Sequence, residues 1–250
     1  MSMSMEIWPQ AVLIAAAVAP AAVLLAMVHR LDRSGREGPA LLWRLAILGV
    51  LATAIARALE FAGVRVLNVL LPGGGPLYDA ALYFGVVAFS EEGVKYALLK
   101  GATWNSPEFD SRFDGVVYAV FVSLGFALWE NLGYVLMGGL GTALMRAVTA
   151  VPGHACFGVF MGCWYAQARF CHSLGRSEAA RRLGTAALAL PTLLHGAYDF
   201  LANASDGRIP WPFVAFAGAL FAVTAAGVRR FARDDVAIEA STQKAQIEPY

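Results

Sequence analysis

The stretch PLYDAALYFGVVAFSEEGVKYALLKG, residues 76–101, places two carboxylates and a lysine inside an apolar run. The run is long enough to cross the roughly 30 Å hydrocarbon layer of a membrane, which takes about 20 helical residues. An ionisable side chain near the middle of such a helix costs at least about 2.5–3.5 kcal/mol on insertion scales. Glu91, Glu92 and Lys95 are therefore expected to face the interior of a membrane protein and to have a function there.

The composition of the whole chain also indicates a membrane protein. Of its 250 residues, 58% are hydrophobic and only 15% are charged, whereas globular proteins average about 45–50% and about 25%. A single soluble domain of this size cannot bury that excess of apolar side chains. The net charge is +1, and there is no basic patch interleaved with aromatic residues, so nothing points to a nucleic-acid partner.

Seven apolar stretches are each long enough to form a transmembrane helix. They are residues 7–28, 41–64, 77–100, 114–137, 142–168, 184–203 and 211–229. The sequence thus predicts an all-α, polytopic membrane helix bundle of about seven spans, with room for an eighth in residues 65–72. Residues 1–231 are expected to form one transmembrane bundle, and residues 232–250 a short, mobile cytoplasmic tail.

Basic residues are concentrated in alternate connections between these stretches, namely those that follow the first, third, fifth and seventh stretches. The segments LLPGGGPLYD, MGGLGT and NASDGRIPWP in the other connections contain only Arg208 between them. The positive-inside rule then predicts an external N-terminus, a cytoplasmic C-terminus and an odd number of spans. The first stretch lacks the basic n-region of a signal peptide and is expected to be retained. We expect a multi-pass integral protein of a bacterial plasma membrane.

Ionisable residues recur in four successive predicted helices: Glu91, Glu92 and Lys95 in the third, Glu130 in the fourth, His154 in the fifth, and His195 and Asp199 in the sixth. At about 1.5 Å per residue, Glu91 and His154 fall roughly 18–20 Å below the external face, and Glu130 and His195 roughly 12 Å below it. We predict that they meet in one polar chamber in the outer half of the membrane.

Spacing gives these residues different directions. His195 and Asp199 are four residues apart and share a helix face, and Glu91 and Lys95 have the same spacing, which allows an internal ion pair. Adjacent Glu91 and Glu92 point about 100° apart. We therefore expect one of the two to face the chamber and the other to brace Lys95 or a neighbouring helix.

Four further residues are expected to support the structure. Arg57 and Glu60, three residues apart, predict a structural ion pair. Arg146 is expected to be an interfacial anchor that can also pair with Glu130. Pro152 is predicted to kink the fifth helix and to admit water beside the histidine two residues later.

This inventory favours hydrolysis by an activated water molecule. There is no G-x-S-x-G nucleophile elbow and no H-E-x-x-H motif. A glutamate in a poorly solvated cavity can act as a general base, and a histidine with a carboxylate can stabilise an oxyanion. No cofactor is preferred; the alternative is a zinc ion with two histidines and a glutamate as ligands and one open position, namely Glu91, His154 and His195.

Four segments resemble motifs of the PrsW family of intramembrane proteases, within the CAAX-protease-like superfamily. They are EEGVK at 91–95, FDGVVYAVFVSLGFALWEN at 113–131, RAVTAVPGHACFGVFMG at 146–162 and HGAYDF at 195–200. The resemblance covers about residues 77–203, which would be the catalytic core. It implies a membrane-embedded endopeptidase; some members cut membrane-anchored anti-sigma factors, and relatives trim prenylated proteins.

The resemblance also implies roles for individual residues. Glu91 and Glu92 match the paired-glutamate motif, with Glu91 as the base, and His154 matches the histidine that assists the attacking water. His195 and Asp199 match the last motif, on the oxyanion side. Wider relatives often have asparagine at the position of Asp199. The carboxylate of Asp199 cannot donate the hydrogen bond that an asparagine amide donates, so the oxyanion role rests more on His195.

Three residues remain as supporting members of the site: Lys95, Asn131 and Arg146. Glu130 and Asn131 match the "EN" pair of the PrsW branch. The family has been described both as metalloproteases and as metal-free glutamic proteases; the sequence alone does not decide between them, and we prefer the metal-free form.

Two other classes of function stay open at this point. Buried carboxylates and histidines also move protons in transporters, although no inverted repeat is visible here. A non-catalytic scaffold that binds membrane partners is the other alternative. For a protease, the expected partners are the lipid bilayer and a membrane-anchored protein or peptide substrate.

Overall fold

A computed structural model of the chain describes residues 4–32, 37–204, 210–235 and 237–238. Its helices are α1 (Ser4–Leu31), α2 (Pro39–Leu70), α3 (Pro76–Ala80), a π-helix (Ala81–Ala88), α4 (Phe89–Thr103), α5 (Asp114–Val148), α6 (Ala150–Ser173), α7 (Ser177–Ala202) and α8 (Trp211–Arg233). The only β-pairing in these ranges is one isolated bridge between Ser111 and Ala237. The predicted all-α class is confirmed.

Within the described residues, four helical segments are long and apolar enough to cross a membrane: Gln10–Leu31, Pro39–Leu70, Asp114–Ser173 and Trp211–Arg233. The third is 60 residues long and contains both α5 and α6. Helices α4 and α7, which carry Glu91, Glu92, His195 and Asp199, are not among these four segments. The chain is thus a multi-pass membrane protein, whereas the count of seven spans and the orientation stay predictions. Residues 65–70 continue α2, so no separate helix begins there.

Helix α5 is the centre of the bundle because small residues let two neighbouring helices approach it closely. A Cβ atom on Gly162 of α6 would lie 2.5 Å from the Cα atom of Val116. A Cβ atom on Gly125 would lie 2.1 Å from the carbonyl oxygen of Ala46 in α2. Interfaces between membrane helices use small residues in this way, since backbone approach maximises van der Waals contact.

Helix α5 is interrupted at Gly139, whose φ of 72° and ψ of −163° are not helical. This left-handed region of φ favours glycine, which has no Cβ atom to clash. Residues 140–148 then form a short helical segment, here called the fold-back helix. It returns along α5, because Ala143 packs in one buried cluster with Val135 of α5 and Ala17 of α1.

The kink predicted at Pro152 is wrong. Helix α6 begins at Ala150, directly after Thr149, whose φ of −120° and ψ of −77° break the helical path. Pro152 therefore lies in the first turn, where its missing N–H group would have no helical partner in any case. The chain changes direction at Gly139 and Thr149 instead.

Two residues separate the end of the π-helix at Ala88 from the paired glutamates. Helical turns this wide are rare, and those that occur are often at functional sites; no feature of the sequence predicted this one. It packs closely on α7, since a Cβ atom on Gly196 would lie 2.5 Å from Cδ1 of Phe84.

The start of the predicted tail is attached to the connection between α4 and α5. The backbone N–H of Ile238 donates to the carbonyl of Asp110 at 2.7 Å, and the N–H of Phe113 donates to Oδ1 of Asp235 at 2.9 Å. Residues 239–250, for which mobility was predicted, lie outside the described ranges.

Candidate active site

A cavity of about 450 Å³ lies at the end of the bundle where α7 ends and α8 begins, and Asn203 and Phe213 contribute to its wall. The structure brings five of the six predicted catalytic residues into this wall: Glu91, Glu130, His154, His195 and Asp199. Arg146 of the fold-back helix joins them. Residues from helices far apart in sequence thus line one partly open cavity.

The fully buried ammonium of Lys95 is the hub of this cluster. Its Nζ lies 3.2 Å from Oε2 of Glu91 and 2.8 Å from Oε1 of Glu92. It also lies 3.3 Å from Nδ1 of His154 and 3.9 Å from the centroid of the Phe126 ring. A buried charge is tolerated only when it is paired and hydrogen-bonded, and this one has two carboxylates, an imidazole and an aromatic face.

These contacts determine the tautomer of His154. A lysine ammonium can only donate hydrogen bonds, so Nδ1 of the histidine must accept, and the ring hydrogen is assigned to Nε2. That Nε2 lies 3.0 Å from Oε2 of Glu130. The main chain is held too, because Oγ of Ser123 donates to the His154 carbonyl at 2.7 Å. The imidazole is therefore fixed between a cation and an anion.

His195 lies between carboxylates. Its Nδ1 is 2.9 Å from Oε1 of Glu92, and its Nε2 is 3.3 Å from Oδ2 of Asp199 and 4.0 Å from Oε2 of Glu91. The ring stacks on Phe157 with a centroid distance of 4.6 Å and an angle of 17°. With a proton on each nitrogen, this imidazole can donate to a carboxylate on both sides.

The two adjacent glutamates occupy different positions. Glu91 lines the cavity, and Lys95 contacts its Oε2 atom only, so Oε1 stays available to the cavity. Glu92 is fully buried behind that wall. One of its two carboxylate oxygens, Oε1, accepts hydrogen bonds from both Lys95 and His195. Glu91 is thus placed to meet a substrate, and Glu92 to hold the groups around it.

Arg146 binds both members of the "EN" pair. Its Nη2 donates to Oε2 of Glu130 at 2.9 Å, and its Nε donates to Oδ1 of Asn131 at 2.8 Å. Asn131 in turn donates to the carbonyl of Ala17 at 2.8 Å, which connects α5 to α1. The arginine therefore pairs with Glu130, as one of its two predicted roles, and holds the fold-back helix over the cavity.

Sequence reasoning missed several wall residues. Arg57 and Glu60 form the expected ion pair at 3.1 Å, but both also line the cavity. Arg57 donates to Oε1 of Glu130 at 3.2 Å across 73 residues of sequence, a contact that no local spacing could indicate. Tyr83 and Tyr198 line the cavity as well.

A set of three side chains has donor atoms close enough together to hold a metal ion. In the described part of the chain, the donor atoms close enough to share one ion belong to Glu91, Glu92 and His154, all within 4.8 Å of one another. This set differs from the predicted zinc ligands, because both nitrogens of His195 face carboxylates instead. The ammonium of Lys95 lies within 3.3 Å of an atom of each member, so a divalent cation would lie against a fixed positive charge.

The chain is similar to known proteins over most of its length. Residues 37–228 match the sequence model described as "PrsW family intramembrane metalloprotease". The chain belongs to the PrsW family. "Protease PrsW" of Bacillus subtilis (strain 168) is 34% identical over 206 residues, which is 82% of this chain and 89% of the relative. "Protease PrsW" of Geobacillus kaustophilus (strain HTA426) is 36% identical over 194 residues, 78% of this chain and 81% of the relative.

A clostridial relative extends the range of similarity within the PrsW family. "Protease PrsW" of Clostridioides difficile (strain 630) is 30% identical over 189 residues, 74% of this chain and 76% of the relative. No solved structure matches the chain. PrsW family membership supports an intramembrane protease rather than a transporter or a scaffold, and it confirms the resemblance found in the motifs.

Replacement of the buried ammonium tests whether it stabilises the site. We expect Lys95→Met to lower the free energy of unfolding by about 3–5 kcal/mol, because it leaves Glu91 and Glu92 buried without their cation. The measurement is reversible unfolding of the purified protein in mixed micelles. The matched control is Lys100→Met, since Lys100 lies exposed on the same helix; equal losses for the two variants would contradict this role.

Proposed function

We propose that the protein is a metal-free, glutamic-type intramembrane endopeptidase that cleaves membrane-anchored proteins in a bacterial plasma membrane. The observation that carries the proposal is Glu91 on the wall of a cavity inside the helix bundle, with two histidines beside it and an ammonium behind it. The PrsW relatives support the protease class.

In the first step, Glu91 acts as the general base. A water molecule in the cavity transfers a proton to Oε1 of Glu91 while its oxygen bonds to the carbonyl carbon of the substrate. The carbonyl π bond breaks, and its electron pair moves to the oxygen, which gives a tetrahedral oxyanion. A carboxylate base positioned this way contributes about 10²–10⁴-fold to the rate.

In the second step, the same carboxyl acts as the acid. The electron pair on the oxyanion restores the carbonyl, the carbon–nitrogen bond breaks, and the proton held by Glu91 passes to the leaving nitrogen. The products are a carboxylic acid and an amine, and Glu91 is again a carboxylate. One residue thus carries one proton through both steps, and no metal or covalent intermediate is required.

The surrounding residues orient these steps. Lys95 holds Oε2 of Glu91, which directs the other oxygen to the cavity. His154 acts through Glu130: its Nε2–H holds Oε2 of that carboxylate at the cavity wall, where the pair can orient the water. His195, with a proton on Nε2, faces Glu91 and Asp199 and supplies positive charge near the developing oxyanion.

The cavity also indicates a class of substrate. A volume of about 450 Å³ holds a few residues of an extended peptide, within the range of about 300–1,000 Å³ usual for ligand sites. A peptide bond in a helix is protected by its backbone hydrogen bonds, so a substrate segment must unwind, and polar groups must replace those bonds. We therefore propose that the substrate is a membrane-anchored protein, and that an unwound stretch of it next to its transmembrane segment enters the cavity.

Loss of the base tests the protease function. We expect Glu91→Gln to reduce kcat by at least about 10²-fold, because the amide cannot accept the water proton. The assay is cleavage of a library of membrane-anchored peptides by protein in lipid nanodiscs, read by mass spectrometry. Glu178→Gln is the control, since Glu178 is exposed on α7 and pairs with Arg181 and Arg182. Cleavage by Glu91→Gln at the wild-type rate would sink the proposal.

Chelation separates the metal-free mechanism from the zinc-dependent alternative. The three clustered donors of Glu91, Glu92 and His154 are the observation that favours that alternative. We expect cleavage by the wild-type protein to persist after exhaustive dialysis against a strong chelator, with only traces of metal by mass spectrometry. Activity that disappears on chelation and returns with one equivalent of zinc would show that the zinc-dependent form is correct.

A further inference from the structure

We propose that another cavity, at the opposite end of the bundle from the active site, binds the phosphate group of an anionic membrane lipid. This cavity has a volume of about 390 Å³ and lies where α4 and α6 end and α7 begins. Two cations and an imidazole line it, one from each of these helices: Lys100, Arg181 and His172. Among the residues that the structure describes, no carboxylate lines it. The proposal goes beyond the peptidase function and does not depend on it.

The two cations are expected at the depth of lipid headgroups. Lys100 follows Glu91 by nine residues on α4, and Arg181 precedes His195 by fourteen on α7. These separations are about 14 Å and about 21 Å along the helices. Added to the depths predicted for the two site residues, they place both cations roughly 32–34 Å below the external face, just beyond a hydrocarbon layer of roughly 30 Å. The basic connections predict that this end faces the cytoplasm, where the leaflet carries anionic lipids.

The ammonium of Lys100 has aromatic neighbours but no counter-ion. Its Nζ lies 5.2 Å from the centroid of the Trp104 ring and 5.9 Å from that of the Tyr96 ring. In the described part of the chain, no carboxylate forms an ion pair with it. Trp104 is itself held, because its ring packs on His172 at a centroid distance of 5.4 Å and its carbonyl accepts from Nε of Arg169 at 3.1 Å. The wall thus presents a positive charge that an anion from outside the chain can neutralise.

The guanidinium of Arg181 can turn towards a phosphate at small cost. Arg181 forms an ion pair with Glu178, but 75% and 55% of the two side chains are exposed, and exposed pairs of this kind contribute little to stability. Glu178 keeps a partner if Arg181 moves, because Nε of Arg182 donates to its Oε1 at 2.9 Å. A guanidinium can then donate two parallel hydrogen bonds to phosphate oxygens, while the ammonium across the cavity acts as a point charge.

The rest of the wall favours a lipid over a soluble phosphate. Leu188 lines the cavity seven residues after Arg181, which is about 10 Å deeper into the membrane. Ala180 and Trp104 add further apolar surface. A lipid with its phosphate at the cations can lay its glycerol and the start of its acyl chains along this surface, whereas inorganic phosphate cannot use it. Basic pockets between membrane helices at the cytoplasmic side bind anionic headgroups in this way.

The test measures the binding of phosphatidylglycerol to the full chain in neutral detergent by native mass spectrometry, with zwitterionic phosphatidylcholine as the comparison. We expect the wild type to prefer phosphatidylglycerol. Lys100→Gln and Arg181→Gln should each lower its affinity about fivefold, as for the loss of one cation beside an anionic headgroup, and leave the binding of phosphatidylcholine unchanged. Equal binding of the two lipids by the wild type would overturn the proposal.

Arg182→Gln is the matched control for a defined site. Arg182 shares the partner Glu178 with Arg181 and is adjacent to it, but it lies outside the cavity wall. This variant should bind phosphatidylglycerol as the wild type does. Equal losses for Arg181→Gln and Arg182→Gln would overturn the proposal in favour of a general effect of surface charge.

Two further arms test the charge and the source of the phosphate. Lys100→Arg keeps the charge and should bind phosphatidylglycerol within about twofold of wild type; a loss as large as that of Lys100→Gln would contradict a role of the charge. Inorganic phosphate and glycerol 3-phosphate at millimolar concentration should not displace the lipid. Displacement by either would identify a soluble phosphate as the ligand and overturn the lipid. Because no peptide substrate is present, these outcomes are independent of the cleavage assays that test the proposed function.

Discussion

An ammonium that no water reaches must be surrounded by acceptors, and the surroundings of Lys95 arrange the rest of the site. Its three hydrogens meet Glu91, Glu92 and His154, residues that come from two helices. These contacts leave one oxygen of Glu91 to the cavity and place the hydrogen of His154 on Nε2. Because desolvation of a charge costs several kcal/mol, the cluster is held only while its geometry is complete.

The same arrangement supports the proposal that a member of a family described as metalloproteases uses its donors without a metal ion. Two carboxylates and an imidazole are suitable ligands for zinc, and here they converge as a metal site would require. The position between them is taken by a cation from the chain itself. Lysine supplies one positive charge and three directed donors, which orient a carboxylate base but cannot polarise a substrate carbonyl as a metal does. Oxyanion stabilisation then falls to other groups in the wall.

Much of the site follows from the sequence because intramembrane charges are costly and therefore rare. Hydropathy and helical rise alone placed Glu91, His154 and His195 at similar depth, and the cavity contains all three. The contacts between helices could not be predicted from the sequence, because the partners are far apart along the chain: Lys95 and His154 by 59 residues, and Glu92 and His195 by 103. The fold-back helix and the π-helix were also missed, because both are departures from regular α-helix that hydrophobic periodicity does not record.

The Lys95 ammonium lies between the paired glutamates and the histidine, and we propose that it takes the place of a metal ion there. The most direct measurement is X-ray diffraction from crystals grown with excess zinc, with data collected above and below the zinc absorption edge. The account predicts continuous density for the Lys95 side chain reaching Glu91, Glu92 and His154, with no anomalous peak among them. A strong zinc peak bonded to those three residues, with the lysine turned away, would contradict it.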